Sequence, residues 1–221
     1  MLLLRVAVAF FALSAGLGHA QGWPTKPVRL IFDLVSSLLV YNDGTFNVNI
    51  WTAIDDIPAI VDVNRDGDLD MLTFGIFGAS VEYYENQTME HQGNPAYAYD
   101  SLKYVDVTLC WGNFTESALT NSVNLNASCK GGSGGGVPTE VEDGARHSGS
   151  TLFDIDFNND HDVDLLLGDI SYNNLVLVQN CGDSSSANIC SYDTIFPACN
   201  AAVNMPVFPA AFSVEIGRAH V

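Results

Sequence analysis

The chain has 221 residues, 48% of them hydrophobic, and a formal net charge of −18. Only eight basic residues are scattered among 26 acids, which excludes a nucleic-acid partner, because phosphate contacts need clustered Lys and Arg. The apolar fraction is too high for a disordered acidic tail, so a packed core is expected, with the acidity pointing to metal cations or to solubility.

In chain order, MLLLR places Arg5 ahead of the apolar run VAVAFFALSAGLG, and the small residues Gly18 and Ala20 precede Gln21. This is the pattern of a secretory signal peptide over residues 1–20, too short for a membrane span. An exported chain with no membrane span after signal cleavage is therefore expected. Residues 28–50, VRLIFDLVSSLLVYNDGTFNVNI, start apolar and then place Asp43-Gly44 between β-formers, a hairpin signal. WTAIDDIPAIVDVN leads into a first acidic loop. MLTFG then reads as a short buried strand, FGAS as a turn and VEYYEN as the next strand. No helix of convincing length and period follows the leader, so the class is all-β.

The acidic loop itself, DVNRDGDLD, carries Asp62, Asn64, Asp66, Asp68 and Asp70 at alternate positions. A second loop, DFNNDHDVD, carries Asp156, Asn158, Asp160, Asp162 and Asp164 at an offset of 94 residues, Asp62 matching Asp156. The flanks repeat as well: LLLGD follows the second loop, NNLVLVQN follows that, and Asn86 and Asn180 both close the later strand. Such a repeat implies units that share a core. Carboxylates at this density repel unless a cation compensates them. Calcium takes six to eight oxygen ligands, and alternate acids in a tight loop wrap one ion. Asp62, Asn64, Asp66 and Asp70 are expected to give side-chain oxygens, Asp68 its backbone carbonyl, and Gly67 the bend. The matching residues of the second loop form a second structural calcium site, weaker because His161 replaces the glycine. An EF-hand is excluded, since position 12 is Thr73 or Leu167 rather than Glu and the flanks look like strands. Zinc finds no His or Cys spacing.

IDDIPAIVDVNRDGDLDMLTFG with VEYYEN, and HSGSTLFDIDFNNDHDVDLLLGDISYNNLVLVQN, resemble the FG-GAP or VCBS repeat, the calcium-loop blade of integrin-α-like β-propellers. The larger pattern resembles exported bacterial surface proteins that often carry a type-IX-secretion sorting domain. The resemblance implies an all-β, partial β-propeller over 21–214, with blade motifs at about 54–86 and 147–180 and a disulfide-containing insertion at about 87–146. It also implies calcium at the matching loop positions and adhesion or ligand binding, in a secreted or bacterial cell-surface protein whose partner is a protein or a carbohydrate. Propellers close with four to eight blades. Two are read here, which leaves strand edges exposed.

Export makes the cysteines disulfide candidates. Cys110 with Cys129 and Cys181 with Cys190 each close a short polar loop, leaving Cys199 over. The closing residues 215–221, EIGRAHV, are spelled by GAG ATC GGA AGA GCA CAC GTC, which resembles a sequencing adapter read in frame. They are expected to be artefact, with the natural chain continuing. No enzyme is expected. Asp55, Asp56 and Asp154 lie outside the metal positions and read as turn or supporting residues. His147 beside Ser148 and Ser150 lacks a GxSxG elbow, and KGGSGGG lacks the GK[ST] of a phosphate loop. Trp111, Tyr83, Tyr84, Tyr97, Tyr99 and Tyr104 suit core packing better than a carbohydrate face. The alternatives are a propeller-class enzyme acting on polysaccharide and a purely structural scaffold.

Overall fold

The computed structural model describes residues 40–42, 47–53, 56–75, 78–91, 103–117, 120–127, 150–198, 201–206 and 208–213. The expected leader, the closing heptapeptide, the Gly-rich run, Asp55, Tyr97, Tyr99, Cys129, His147, Ser148 and Cys199 lie outside the described residues.

The described residues form twelve strands: β1 (Val40–Asn42), β2 (Asn47–Asn49), β3 (Ala59–Val61), β4 (Asp70–Phe74), β5 (Val81–Asn86), β6 (Tyr104–Thr108), β7 (Phe114–Glu116), β8 (Val123–Leu125), β9 (Ser150–Ile155), β10 (Asp164–Asp169), β11 (Leu175–Asn180) and β12 (Ile189–Asp193). A 3-10 turn, Trp111–Asn113, precedes β7, and no α-helix occurs among the described residues. The protein is all-β, as its sequence predicts.

The strands form three sheets in the orders β2-β1-β6-β5-β4-β3, β12-β11-β10-β9 and β7-β8. Within the first, β3 to β6 make an antiparallel meander, and β9 to β12 make a second one in the same chain direction. The hairpin expected around YNDGTF is present as β1 and β2, with Asn42 opposite Asn47. Sequence reading ended the first unit at Asn86 and assigned 87–146 to an insertion. Strand β6 lies inside that segment and completes the meander, and β12 does the same beyond Asn180. Both fourth strands follow segments of different length, which removes them from the 94-residue offset.

Alternation along β4 divides its side chains between two faces. Leu72 and Phe74 enter a core shared with Leu165 and Leu167 of β10, Val176 and Val178 of β11, and Ile189 of β12. Trp111, Phe114 and Val123 fill the same core, so the β7–β8 hairpin packs with both meanders. Met71, on the opposite face of β4, clusters with Tyr84 and Tyr104. Trp111, Tyr83, Tyr84 and Tyr104 are thus buried and serve packing. Burying a side chain such as Phe74 or Phe114 contributes about 2–3 kcal/mol each. The two meanders meet where the Leu152 N–H of β9 donates at 2.9 Å to the carbonyl of Ile57, just ahead of β3. Cys181 and Cys190 form the expected disulfide, linking the end of β11 to β12. Cys110 is also disulfide-bonded, and its expected partner Cys129 lies outside the described residues.

Candidate metal centre

Each acidic loop joins the first two strands of its meander and is closed by a strand pair, Val61 with Asp70 in one and Ile155 with Asp164 in the other. Inside the loops the hydrogen bonds repeat at the 94-residue offset. The N–H of Gly67 donates to Asp62 Oδ2 at 3.1 Å and that of His161 to Asp156 Oδ2 at 3.2 Å. Asp66 N–H reaches Asn64 Oδ1 at 3.1 Å and Asp160 N–H reaches Asn158 Oδ1 at 3.0 Å. Asp68 N–H meets Asp66 Oδ1 at 3.0 Å, matched by Asp162 N–H on Asp160 Oδ1 at 2.8 Å. The amides of Asn64 and Asn158 donate to Asp66 and Asp160 at 2.7 and 2.6 Å. These are successive side-chain turns, in which short acids and Asn hold the backbone two residues on.

The backbone repeats too. Arg65 and Asn159 take φ of 66° and 63°, and Gly67 and His161 take 101° and 74°. Glycine suits the left-handed region, whereas histidine there carries a strain cost. The substitution noted in the sequence therefore keeps the loop's path and weakens its support.

Asp70 and Asp164 stand apart from the other loop acids. Both are fully buried. Asp70 accepts from Val63 N–H at 3.0 Å, Asn86 N–H at 2.8 Å and the Tyr83 hydroxyl at 3.1 Å. Asp164 accepts from Phe157 N–H at 2.9 Å and Asn180 N–H at 2.7 Å. Each was expected to offer a side-chain oxygen to an ion. The structure commits both oxygens of each to the protein's own donors, tying the loop to β5 or β11. Burial pushes the Asp70 carboxyl up to about 6 despite these bonds, and pushes Asp164 up as well.

Asp68 also departs from its expected role. Expected to offer its backbone carbonyl, it turns its carboxylate towards the site: Oδ2 accepts Met89 N–H at 3.0 Å, and Oδ1 is buried with no hydrogen-bond partner among the described residues. The turn after β5 thus draws Asp68 inward, and the same turn delivers Glu90. Carboxylate oxygens of Asp66, Asp68 and Glu90 lie within 4.8 Å of one another, a group able to hold a metal ion. Glu90 has no partner in the alternating motif, so sequence reasoning missed it. Asp62 keeps its oxygens on Asp66 N–H and Gly67 N–H, and Asn64 also donates to Glu85 at 2.8 Å.

The electrostatics of the group suit a cation. Burial, aided by Asp66, Asp70 and Asp62, pushes the Asp68 carboxyl up to about 7. Burial and a hydrogen bond to Asp66 push Glu90 up to about 7. Burial would raise Asp66, but bonds from Glu90, the Asp68 N–H and Asn64 outweigh it and hold Asp66 low. Three crowded carboxylates, one of them with a buried oxygen left unpartnered, form a site where a cation can offset the charge. The donors are all oxygens, which selects hard cations over zinc or copper.

The second loop has no such group among the described residues. Asp156, Asn158 and Asp160 are exposed, and Ser184 occupies the position matching Glu90. Hydrogen bonds from the Asp162 N–H and Asn158 lower the exposed Asp160 carboxyl. No family model, curated protein or solved structure matches the chain.

Proposed function

We propose that the chain is a calcium-stapled β-repeat protein of the FG-GAP or VCBS type, part of a propeller, and that it acts in adhesion or ligand binding. The observation that carries this reading is the repeated loop. Two four-stranded meanders share a core, and at the same point in each an acidic loop repeats its hydrogen bonds and its two positive-φ residues at an offset of 94. A meander that buries its faces against a copy of itself is the kind of unit from which propellers are built. Calcium would sit at Asp66, Asp68 and Glu90 in the first loop. Its charge would offset three crowded carboxylates and fasten the loop to the turn after β5, a structural role with no chemistry. The disulfides at Cys181–Cys190 and Cys110 support an oxidising, extracytoplasmic location, secreted or at a bacterial surface. No helix among the described residues is long and apolar enough to cross a membrane. A protein or carbohydrate partner would bind through loops, since the aromatic side chains at Tyr83, Tyr84, Tyr104 and Trp111 are buried.

Thermal unfolding tests the calcium reading. EDTA should lower Tm, millimolar calcium should restore it, and magnesium should restore it poorly. A Tm indifferent to calcium would sink the proposal.

A further inference from the structure

The two loops share their internal geometry but not their surroundings. In the first, Met89 N–H holds Asp68 Oδ2 and Glu90 supplies a third carboxylate. At the matching turn, Asp183 N–H donates to the Ser186 carbonyl at 3.2 Å, and Ser184 brings no charge. Asp162 is thereby released from the turn that captures its counterpart Asp68. Its Oδ1 instead accepts Arg65 Nη2 at 2.5 Å. Arg65 belongs to the first loop, 97 residues away in sequence. The pairing runs one way, because Asn159, which matches Arg65, is uncharged. The other basic group at the second loop is His161, whose Nδ1 lies 3.5 Å from Asp156 Oδ2 and is largely exposed.

We infer that Arg65 takes the place of the metal ion in the second loop, so that the chain holds one divalent cation at Asp66, Asp68 and Glu90 and neutralises its other acidic loop with its own guanidinium. The cation count rests on the calcium reading given above; the ion pair does not. A guanidinium remains charged at every physiological pH and cannot be chelated, so the second loop keeps its counter-charge when metal is withdrawn. The same contact ties the two meanders together at their loop ends. Calcium at two sites, as the sequence pattern predicts, requires equal donor sets. The loss of the third acid at Ser184 and the capture of Asp162 by Arg65 remove that equality.

Equilibrium dialysis of the full chain against labelled calcium tests the count. One ion per chain is expected. It should persist in Asp160→Asn/Asp162→Asn and vanish in Asp66→Asn/Asp68→Asn. Arg65→Gln/Ser184→Glu should free Asp162, restore the third acid of the second loop and raise the count to two at millimolar calcium. Two ions in the unaltered chain, two in Ser184→Glu with Arg65 retained, or a count still at one in Arg65→Gln/Ser184→Glu would overturn the replacement. A double-mutant cycle in EDTA reads the pair without metal. Arg65→Gln and Asp162→Asn should each lower Tm by about 2 °C, and together by no more than either alone. Additive losses would overturn the assignment. If the chain binds no calcium while the cycle shows coupling, the calcium proposal fails and the role of Arg65 as counter-ion stands.

Discussion

The carboxylate of Asp70 accepts the backbone N–H of Asn86 at 2.8 Å, and Asp164 accepts that of Asn180 at 2.7 Å. In both meanders one buried acid at the first residue of the second strand thus fastens the loop before it and the end of the third strand. Removing Asp70 leaves two buried backbone donors without an acceptor, and removing Asp164 leaves one buried and one part-buried, at about 1–3 kcal/mol for each buried unmet group. Asp70→Ala and Asp164→Ala should each cost roughly 2–4 kcal/mol by denaturant unfolding. The loss should be the same with calcium and with EDTA, because these acids act through protein donors. A penalty that disappears in EDTA would instead make them metal ligands.

The acids of the candidate site should behave in the opposite way. Glu90→Gln keeps size and hydrogen bonding but removes one of three charges around the ion. Calcium affinity should fall about tenfold or more, since ligand charge count tunes such sites over several decades. Stability in EDTA should change little or rise, as carboxylate repulsion is relieved. The pH dependence follows from Asp68 and Glu90, both raised to about 7 by burial first. Below pH 7 protons compete with the ion, so affinity should rise between pH 6 and 8. Titration calorimetry in buffers of different ionisation enthalpy should register proton release on binding at pH 7. An affinity flat across that range would count against this ligand set.

The acidic loops, the strands beside them and the Cys181–Cys190 bridge were legible in the sequence because each is a local pattern. Alternating acids force side-chain turns, and short apolar runs such as Leu165–Leu167 can satisfy their backbone only in a buried strand. What was not legible depends on packing. Glu90 sits in an unpatterned turn and reaches Asp66 only because β5 returns to the loop. Arg65 and Asp162 meet only once the two meanders pack. Asp70 looks like Asp66 in the motif, yet it starts a strand whose five residues are all buried, and that burial turns it from a solvent-facing acid into an acceptor for backbone donors. An acid followed directly by an apolar strand is the signal that could have separated the two roles.

Gly168 in β10 is held by close approach. A Cβ built there would lie 1.9 Å from the Pro209 carbonyl oxygen and 2.6 Å from Thr151 Oγ1, which itself donates to Pro209 at 3.1 Å. Backbone cannot give way as a flexible side-chain end does. Gly168→Ala should therefore displace the segment around Pro209 and cost roughly 2–4 kcal/mol, more than ordinary overpacking by one methyl. Thr151→Val keeps the volume but removes the hydroxyl, leaving Pro209 without that donor, and should cost about 1 kcal/mol. Denaturant unfolding gives both values, and limited proteolysis of Gly168→Ala should show earlier cleavage near residues 208–213. Equal stability of Gly168→Ala and the unaltered protein would rule out the close packing at this point.

Glu116 at the end of β7 is buried, and burial together with Asp169 pushes its carboxyl up to about 8 from an ordinary value of 4.5. The folded protein therefore holds this proton more tightly than the unfolded chain does. The associated stability is complete below pH 4.5 and is lost as pH rises towards 8, where a buried anion forms beside Asp169. Glu116→Gln supplies a neutral group of the same size at every pH. Its stability relative to the unaltered protein should be near zero at pH 5 and favourable by on the order of 1–3 kcal/mol at pH 9. Comparing the pair at each pH cancels the titration of the other acids. A stability difference that does not grow between pH 5 and pH 9 would show that Glu116 is ionised in the folded protein throughout.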